Sequence, residues 1–382
     1  MFGCCGGGKR KDGEKRSCWA DTRGKKGGAL NITDLRRGSC DPNGQFDVDN
    51  LEEQVEAIET RLDGPTHPCR GRQAYVTLAT NDTYGLGCLV LGESLRRVGT
   101  TKELVVMVTR HVSDAMRHSL EKTFDHVKLF DLLDSNDAGN LALLQRPELG
   151  VTLTKIHCWT LTEYRRAVFL DADTMVVRNC DELFDQYQEF SAAPDVGWPD
   201  CFNSGVFVYK PSLATYRSIL AFAVKNGSFD GGDQGLLNMY FSDWARGSIK
   251  KHLPFIYNMV ASIVYTYQPA FRLNADQVKI IHFLGPVKPW HWQYDIQGRC
   301  LMSDTGSLGD AGDLLTLWWN ILISRAMPNI EAGVTGLAGE IHEKYKDCEE
   351  PYVLDYRGVD AYQNIQDHVK SKIPGVFQRK QK

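Results

Sequence analysis

Val168-Phe169-Leu170-Asp171-Ala172-Asp173 places two carboxylates one residue apart, directly after an apolar run. An apolar run without alternation reads as a strand buried on both faces. In a strand, residues i and i+2 point the same way. Asp171 and Asp173 are therefore expected to aim their oxygens at one point, at the carboxyl end of the strand, where open α/β sheets bind ligands. Convergent carboxylates with only a methyl group between them suit a hard divalent cation carrying a phosphate. An Asp-x-Asp after a strand is also a common turn former, so the remaining segments must decide.

Four of them fit the same chemistry. His282-Phe283-Leu284-Gly285-Pro286-Val287-Lys288-Pro289-Trp290 follows an apolar strand. His282 can complete a metal site with Asp171 and Asp173, a set that suits Mn²⁺ first and Mg²⁺ second. Gly285 lets backbone approach a phosphate, and Lys288 can neutralise it. Taken alone, His282 reads more readily as a satisfied core histidine than as a ligand; the nearby Gly285 and Lys288 shift that balance. Phe229-Asp230-Gly231-Gly232-Asp233-Gln234 precedes a helix. Its glycines can bring Asp230 and Asp233 to one side, although Asp233 also fits an N-cap. Thr152-Leu153-Thr154-Lys155 opens a helix expected over 154–164, and a lysine at a helix N-terminus faces an anion. Leu78, Thr80, Asn81 and Tyr84 end the first strand, where a base and ribose sit in a doubly wound fold. Gly85-x-Gly87 does not complete a dinucleotide fingerprint.

The elements that must position these groups follow from periodicity. Strands are expected over 74–79, 104–108, 127–130 and the run from Val168 that carries Asp171 and Asp173, with helices over 87–97 and 114–123 among them. This alternation predicts a mostly parallel sheet with helices on both faces. Further strands are expected over 206–209, 263–267 and 278–283, and a buried helix over 314–323. The catalytic domain spans 73–325. Residues 326–351 lack a clear period and read as a linker.

With 382 residues, 42% hydrophobic and 24% charged, the chain has an ordinary globular composition. The net charge of −4 gives no global field for nucleic acid. No apolar run has the length of a membrane span. The eleven cysteines lack paired C-x-x-C spacing, which fits free thiols and a cytoplasmic location. Residues 1–45 form a Gly-rich basic tail, with ten Lys/Arg against four Asp/Glu up to Gly38, and are expected to be disordered. Residues 46–72 hold a short amphipathic helix (Leu51, Val55, Ile58, Leu62) and a linker. Within 352–382, Tyr362, Ile365, Val369 and Ile373 form an apolar stripe suited to a partner's groove.

Several blocks together resemble the glycogenins, self-glucosylating family 8 glycosyltransferases. They are Arg146-Pro147-Glu148-Leu149-Gly150-Val151-Thr152-Leu153-Thr154-Lys155, Asp171-Ala172-Asp173, Gly197-Trp198-Pro199-Asp200-Cys201-Phe202-Asn203-Ser204-Gly205, Ser228 to Gly235, and His282 to Trp290. The resemblance covers roughly residues 74–295. It implies a single Rossmann-like GT-A domain, UDP-glucose as donor and Mn²⁺ held by Asp171, Asp173 and His282. Leu78, Thr80, Asn81 and Tyr84 would hold uridine, and Ala172 the ribose. Arg146 and Lys155 would contact the donor's phosphates or sugar. Asn203, Ser204, Asp230, Asp233 and Gln234 would surround glucose, and Gly285 and Lys288 would clasp the diphosphate. Asp233 and Lys155 would act in catalysis, and Tyr265 would be the glucosylated acceptor, with an α-1,4-glucan grown on it. Configuration would be retained. The resemblance also implies a homodimer and a C-terminal helix that binds glycogen synthase.

Two alternatives stand beside this reading. Asp171-Ala172-Asp173-Thr174 also resembles the first motif of haloacid-dehalogenase-type phosphatases. That pattern wants a late acidic pair and lysine, and has no nucleotide-binding unit before its first Asp. A non-catalytic adaptor recruiting glycogen synthase is the other; the intact Asp171, Asp173, Lys155, Asp233 and Tyr265 disfavour it.

Overall fold

The computed structural model describes residues 30–31, 71–186, 188–261, 268–295, 300–301 and 310–347. Apart from Leu30–Asn31 and residues 71–72, the basic tail and the 46–72 segment fall outside them, as do the strand over 263–267, Tyr265 and the C-terminal helix.

A six-stranded sheet organises the chain. β1 (Leu30–Asn31) lies outside it, paired with β5 (Leu133–Asp134). The sheet contains β2 (Gln73–Ala79), β3 (Glu103–Val108), β4 (His126–Leu129), β6 (Arg166–Leu170), β8 (Phe190–Pro194) and β9 (Phe202–Tyr209), in the order β4-β3-β2-β6-β9-β8. The first four run parallel, whereas β9 is antiparallel to both β6 and β8. The strand order reverses at β2, with β3 on one side and β6 on the other, so a ligand crevice is expected at their carboxyl ends. β7 (Thr174–Val176) leaves the main sheet and joins a small one, β10 (Met259–Val260)–β11 (Ile280–His282)–β7.

Helices cover both faces. α1 (Asp82–Arg97) is capped by Asn81, whose Oδ1 accepts the Tyr84 N–H at 3.1 Å. It packs with α2 (Asp114–Thr123) and α7 (Asp310–Ile321) in one core. The other core holds α4 (Leu213–Asn226), α5 (Asp233–Tyr240) and a long 3₁₀ segment, Pro147–Thr160. Short helices α3 (Ala138–Leu144) and α6 (Gln268–Asn274) complete the set.

Two expectations are corrected. The helix expected over 154–164 is instead a 3₁₀ helix beginning at Pro147, so Lys155 lies in its interior rather than at a helix N-terminus. Its charge must be answered by something other than a helix dipole. Nor are residues 326–351 simply a linker. After a π-helical turn (Leu322–Ala326), α8 (Gly336–Tyr345) packs onto the domain. Its start is clipped to α1, since Asp82 Oδ2 accepts the Thr335 N–H at 2.6 Å and the hydroxyl at 2.8 Å. Its end is held by the Tyr345 hydroxyl, which donates to the Tyr294 carbonyl at 2.8 Å.

Candidate active site

Strand β6 ends at Leu170, so Asp171 and Asp173 sit in a tight turn rather than on an extended strand. The Thr174 N–H and hydroxyl close that turn on the Asp171 carbonyl at 3.0 and 2.7 Å. The turn still brings the carboxylates together. The small sheet supplies the third group: His282 is paired with Thr174 across β11 and β7, and the Phe283 N–H donates to the Asp173 carbonyl at 2.9 Å. Asp171, Asp173 and His282 each offer a ligand atom, and these atoms all lie within 4.8 Å of one another. Two carboxylates and an imidazole fit a divalent cation such as Mn²⁺ or Mg²⁺.

Two buried lysines flank this cluster. Lys288, 5% exposed, pairs with Asp173 and donates to the Phe283 carbonyl at 3.3 Å. Lys155, 3% exposed, lies 2.9 Å from Asp171 Oδ1 and 2.6 Å from Asp233 Oδ2. Burial opposes its charge, but the carboxylates of Asp171 and Asp233 outweigh burial and raise its pKa. For Asp173, burial is overcome chiefly by Lys288, which holds its carboxyl well below the usual range. Burial raises Asp171 despite Lys155, with Asp173 and Asp233 adding repulsion.

Asp233 is the first residue of α5, and Gly232 is the N-cap. The carboxylate is therefore free of a capping role and faces Lys155, while its N–H donates to Thr152 Oγ1 at 3.2 Å. Asp230 differs. Its Oδ1 accepts from the Ser228 hydroxyl at 2.8 Å and the Gly232 N–H at 2.9 Å, so it shapes its own loop.

Asn203, Ser204 and Gln234 form one hydrogen-bonded group. The Ser204 N–H donates to Gln234 Oε1 at 3.2 Å, and its carbonyl accepts from Lys155 at 3.2 Å. Both side-chain amides donate to Asp195 Oδ2, from Asn203 at 3.0 Å and Gln234 at 3.2 Å. Asp195 escaped sequence reasoning because nothing in its spacing connects it to Gln234. On the opposite rim, Leu78 and Thr80 lead from β2 to Asn81. The Asn81 oxygen is spent on capping α1, which leaves its amide for a ligand. The Tyr84 ring meets Trp290 edge-on at 5.4 Å. Gly87 lets α1 approach the turn: a Cβ there would stand 2.7 Å from the Trp290 ring and against the carbonyl of Ala172. Gly285, at φ +118°, occupies a backbone conformation that favours glycine, with open space where a Cβ would be. Arg146 sits just before Pro147 at the head of the 3₁₀ helix.

A sheet whose switch point carries paired carboxylates, an imidazole and two buried lysines suits chemistry on a phosphate-activated group. The glycosyl transferase family 8 model matches residues 75–293. Glycogenin-1 of Homo sapiens is 54% identical over 260 residues, 68% of this chain and 74% of its own length. Glycogenin-1 of Mus musculus is 45% identical over 322 residues, 77% of this chain and 96% of its own length. Glycogenin-2 of Homo sapiens is 53% identical over 267 residues, 68% of this chain and 53% of its own length. The chain belongs to glycosyl transferase family 8 and, within it, to the glycogenins. It is a glycosyltransferase with a GT-A fold. Among the described residues, no helix is long and apolar enough to cross a membrane.

Proposed function

We propose that this enzyme transfers glucose from UDP-glucose to its own Tyr265 and extends it as a short α-1,4-glucan, with Mn²⁺ held by Asp171, Asp173 and His282. The observation that carries the reading is the junction of that cluster with Asp233, through the shared ammonium of Lys155. Breaking the anomeric C–O bond builds negative charge on the departing diphosphate. Asp171, Asp173 and His282 would hold a divalent cation that would neutralise part of that charge. Lys155 and Lys288 supply the rest from preorganised, buried positions. Positive charge grows on the glucose ring, and Asp233 is the carboxylate that answers it. The Asn203, Ser204 and Gln234 group orients the sugar, with Asp230 holding the loop beside it. Leu78, Thr80, Asn81, Tyr84 and Ala172 hold the nucleoside, and Arg146 and Gly285 border the phosphates. A phenol ordinarily ionises only at about pH 10, so the acceptor loses its proton as it attacks.

The proposal includes a homodimer, a cytoplasmic location and docking of glycogen synthase on the 352–382 segment. Deleting 352–382 should spare glucosylation and weaken synthase binding; unchanged binding excludes the docking role. The transfer itself is tested by incubating demonstrably unmodified protein with UDP-glucose and Mn²⁺ and measuring intact mass. Gain in hexose units is expected, and an unchanged mass rejects self-glucosylation.

A further inference from the structure

Asn258, 1% exposed, has no role in the reading above. Its side chain is the middle link of a hydrogen-bond chain that can run in only one direction. The chain starts at Asp195. Its Oδ1 accepts the N–H groups of Gly197 and Trp198 at 2.7 and 3.3 Å, and its Oδ2 accepts the amides of Asn203 and Gln234. Both oxygens thus face donors, so Asn203 must turn Nδ2 toward Asp195. Its Oδ1 then faces the Gly205 N–H at 3.0 Å and Asn258 Nδ2 at 2.8 Å. The backbone N–H independently demands an oxygen there. Asn258 must therefore donate to Asn203, which leaves its own Oδ1 facing His282 Nδ1 at 2.9 Å. An amide oxygen only accepts, so Nδ1 carries the imidazole proton. Nε2, 3.3 Å from Asp173 Oδ1, keeps its lone pair for a cation. Amide orientations and tautomers are ordinarily assigned rather than observed; here a carboxylate at one end and a backbone N–H in the middle determine all three.

We propose that Asn258 is a positioning residue of the cation site, passing the polarity of Asp195 through Asn203 to His282 and holding the imidazole with Nε2 toward Asp171 and Asp173. The proposal rests on the divalent-cation reading. Asn258 contributes direction and no charge: it fixes which nitrogen is basic and where it points. Partners of this kind, one shell out from a metal, typically change affinity by about 10- to 100-fold when removed.

The test is Mn²⁺ affinity, read from the electron paramagnetic resonance signal of free ion in the presence of saturating UDP. The full-length proteins are the wild type, Asn258→Leu and His282→Gln. Asn258→Leu should bind Mn²⁺ about 10- to 100-fold more weakly, approaching His282→Gln. Affinity within twofold of the wild type overturns the role of Asn258 and leaves the cation reading standing. A wild type that binds no Mn²⁺ overturns the cation reading itself. Should Asn258→Leu not fold, ¹⁵N-histidine spectra of the metal-free wild type decide, with the His282 signals assigned by their loss in His282→Gln. At a pH where imidazole is neutral, a proton on Nδ1 supports the proposal and a proton on Nε2 overturns it.

Discussion

His282 is seated directly on the backbone of Gly205: a Cβ at Gly205 would collide with His282 Cε1 and stand 2.8 Å from Nδ1. The constraint is one of space. The same glycine's carbonyl accepts the Asp171 N–H at 2.8 Å, so one residue of β9 fixes both the imidazole and the first carboxylate.

Gly205→Ala should therefore displace the ring from Asn258 and from Asp173. We expect Mn²⁺ affinity to fall by about 10- to 100-fold, with a parallel loss of transfer rate. Titration of the variant with Mn²⁺ in the presence of UDP measures this. Unchanged affinity would show that the imidazole does not need its seat.

Lys155 holds two carboxylates at once, and it is buried. Removing one partner of a buried ion pair leaves an uncompensated charge, at about 3–5 kcal/mol. Lys155→Met should lower the urea midpoint by a corresponding amount and abolish measurable glucosylation. A variant with wild-type stability would mean that Asp171 and Asp233 are relieved in some other way.

The pH dependence of stability has an identifiable source outside the site. His157 is fully buried, its Nε2 paired with the Asp131 carbonyl at 3.1 Å and its Nδ1 with the Tyr216 hydroxyl at 3.1 Å. The neutral ring satisfies both, and burial lowers its pKa from 6.5 to about 4. Between these values the unfolded chain binds a proton that the folded one does not, so stability rises with pH there. The contribution is complete above 6.5 and lost progressively down to about 4, amounting to about 3 kcal/mol. Urea unfolding across this range should show the slope, and His157→Gln should flatten it. An equal slope in the variant would assign the acid sensitivity elsewhere.

Tyr265→Phe should abolish self-priming yet leave transfer to an added maltoside. Intact mass and a maltoside assay separate the two activities. Self-priming at the full rate would move the acceptor elsewhere, with Tyr267 the first to test.

Much of this architecture was legible because its signals are local. Short apolar runs such as Val105 to Val108 read as strands, and the Asp171–Asp173 spacing pointed to convergent carboxylates, which the fold does bring together with His282. Other features depend on contacts between distant segments. Asn258 meets Asn203 across 55 residues and His282 across 24, and no spacing rule spans such intervals. Lys155 was singled out for a helix N-terminus that turned out to be the interior of a 3₁₀ helix; its partners are the carboxylates that β6 and α5 bring to it. Helix α8 does have a helical period, in Ala338, Ile341, His342 and Tyr345, all buried. With a histidine in the stripe and Glu and Lys between, its apolar face is too thin to read.

The most direct test is a crystal grown with UDP and Mn²⁺, with anomalous scattering collected at the manganese edge. The account predicts one strong peak in contact with the carboxylates of Asp171 and Asp173 and with Nε2 of His282. A peak lying elsewhere, or UDP bound in the crevice with no ion touching those three side chains, would contradict it.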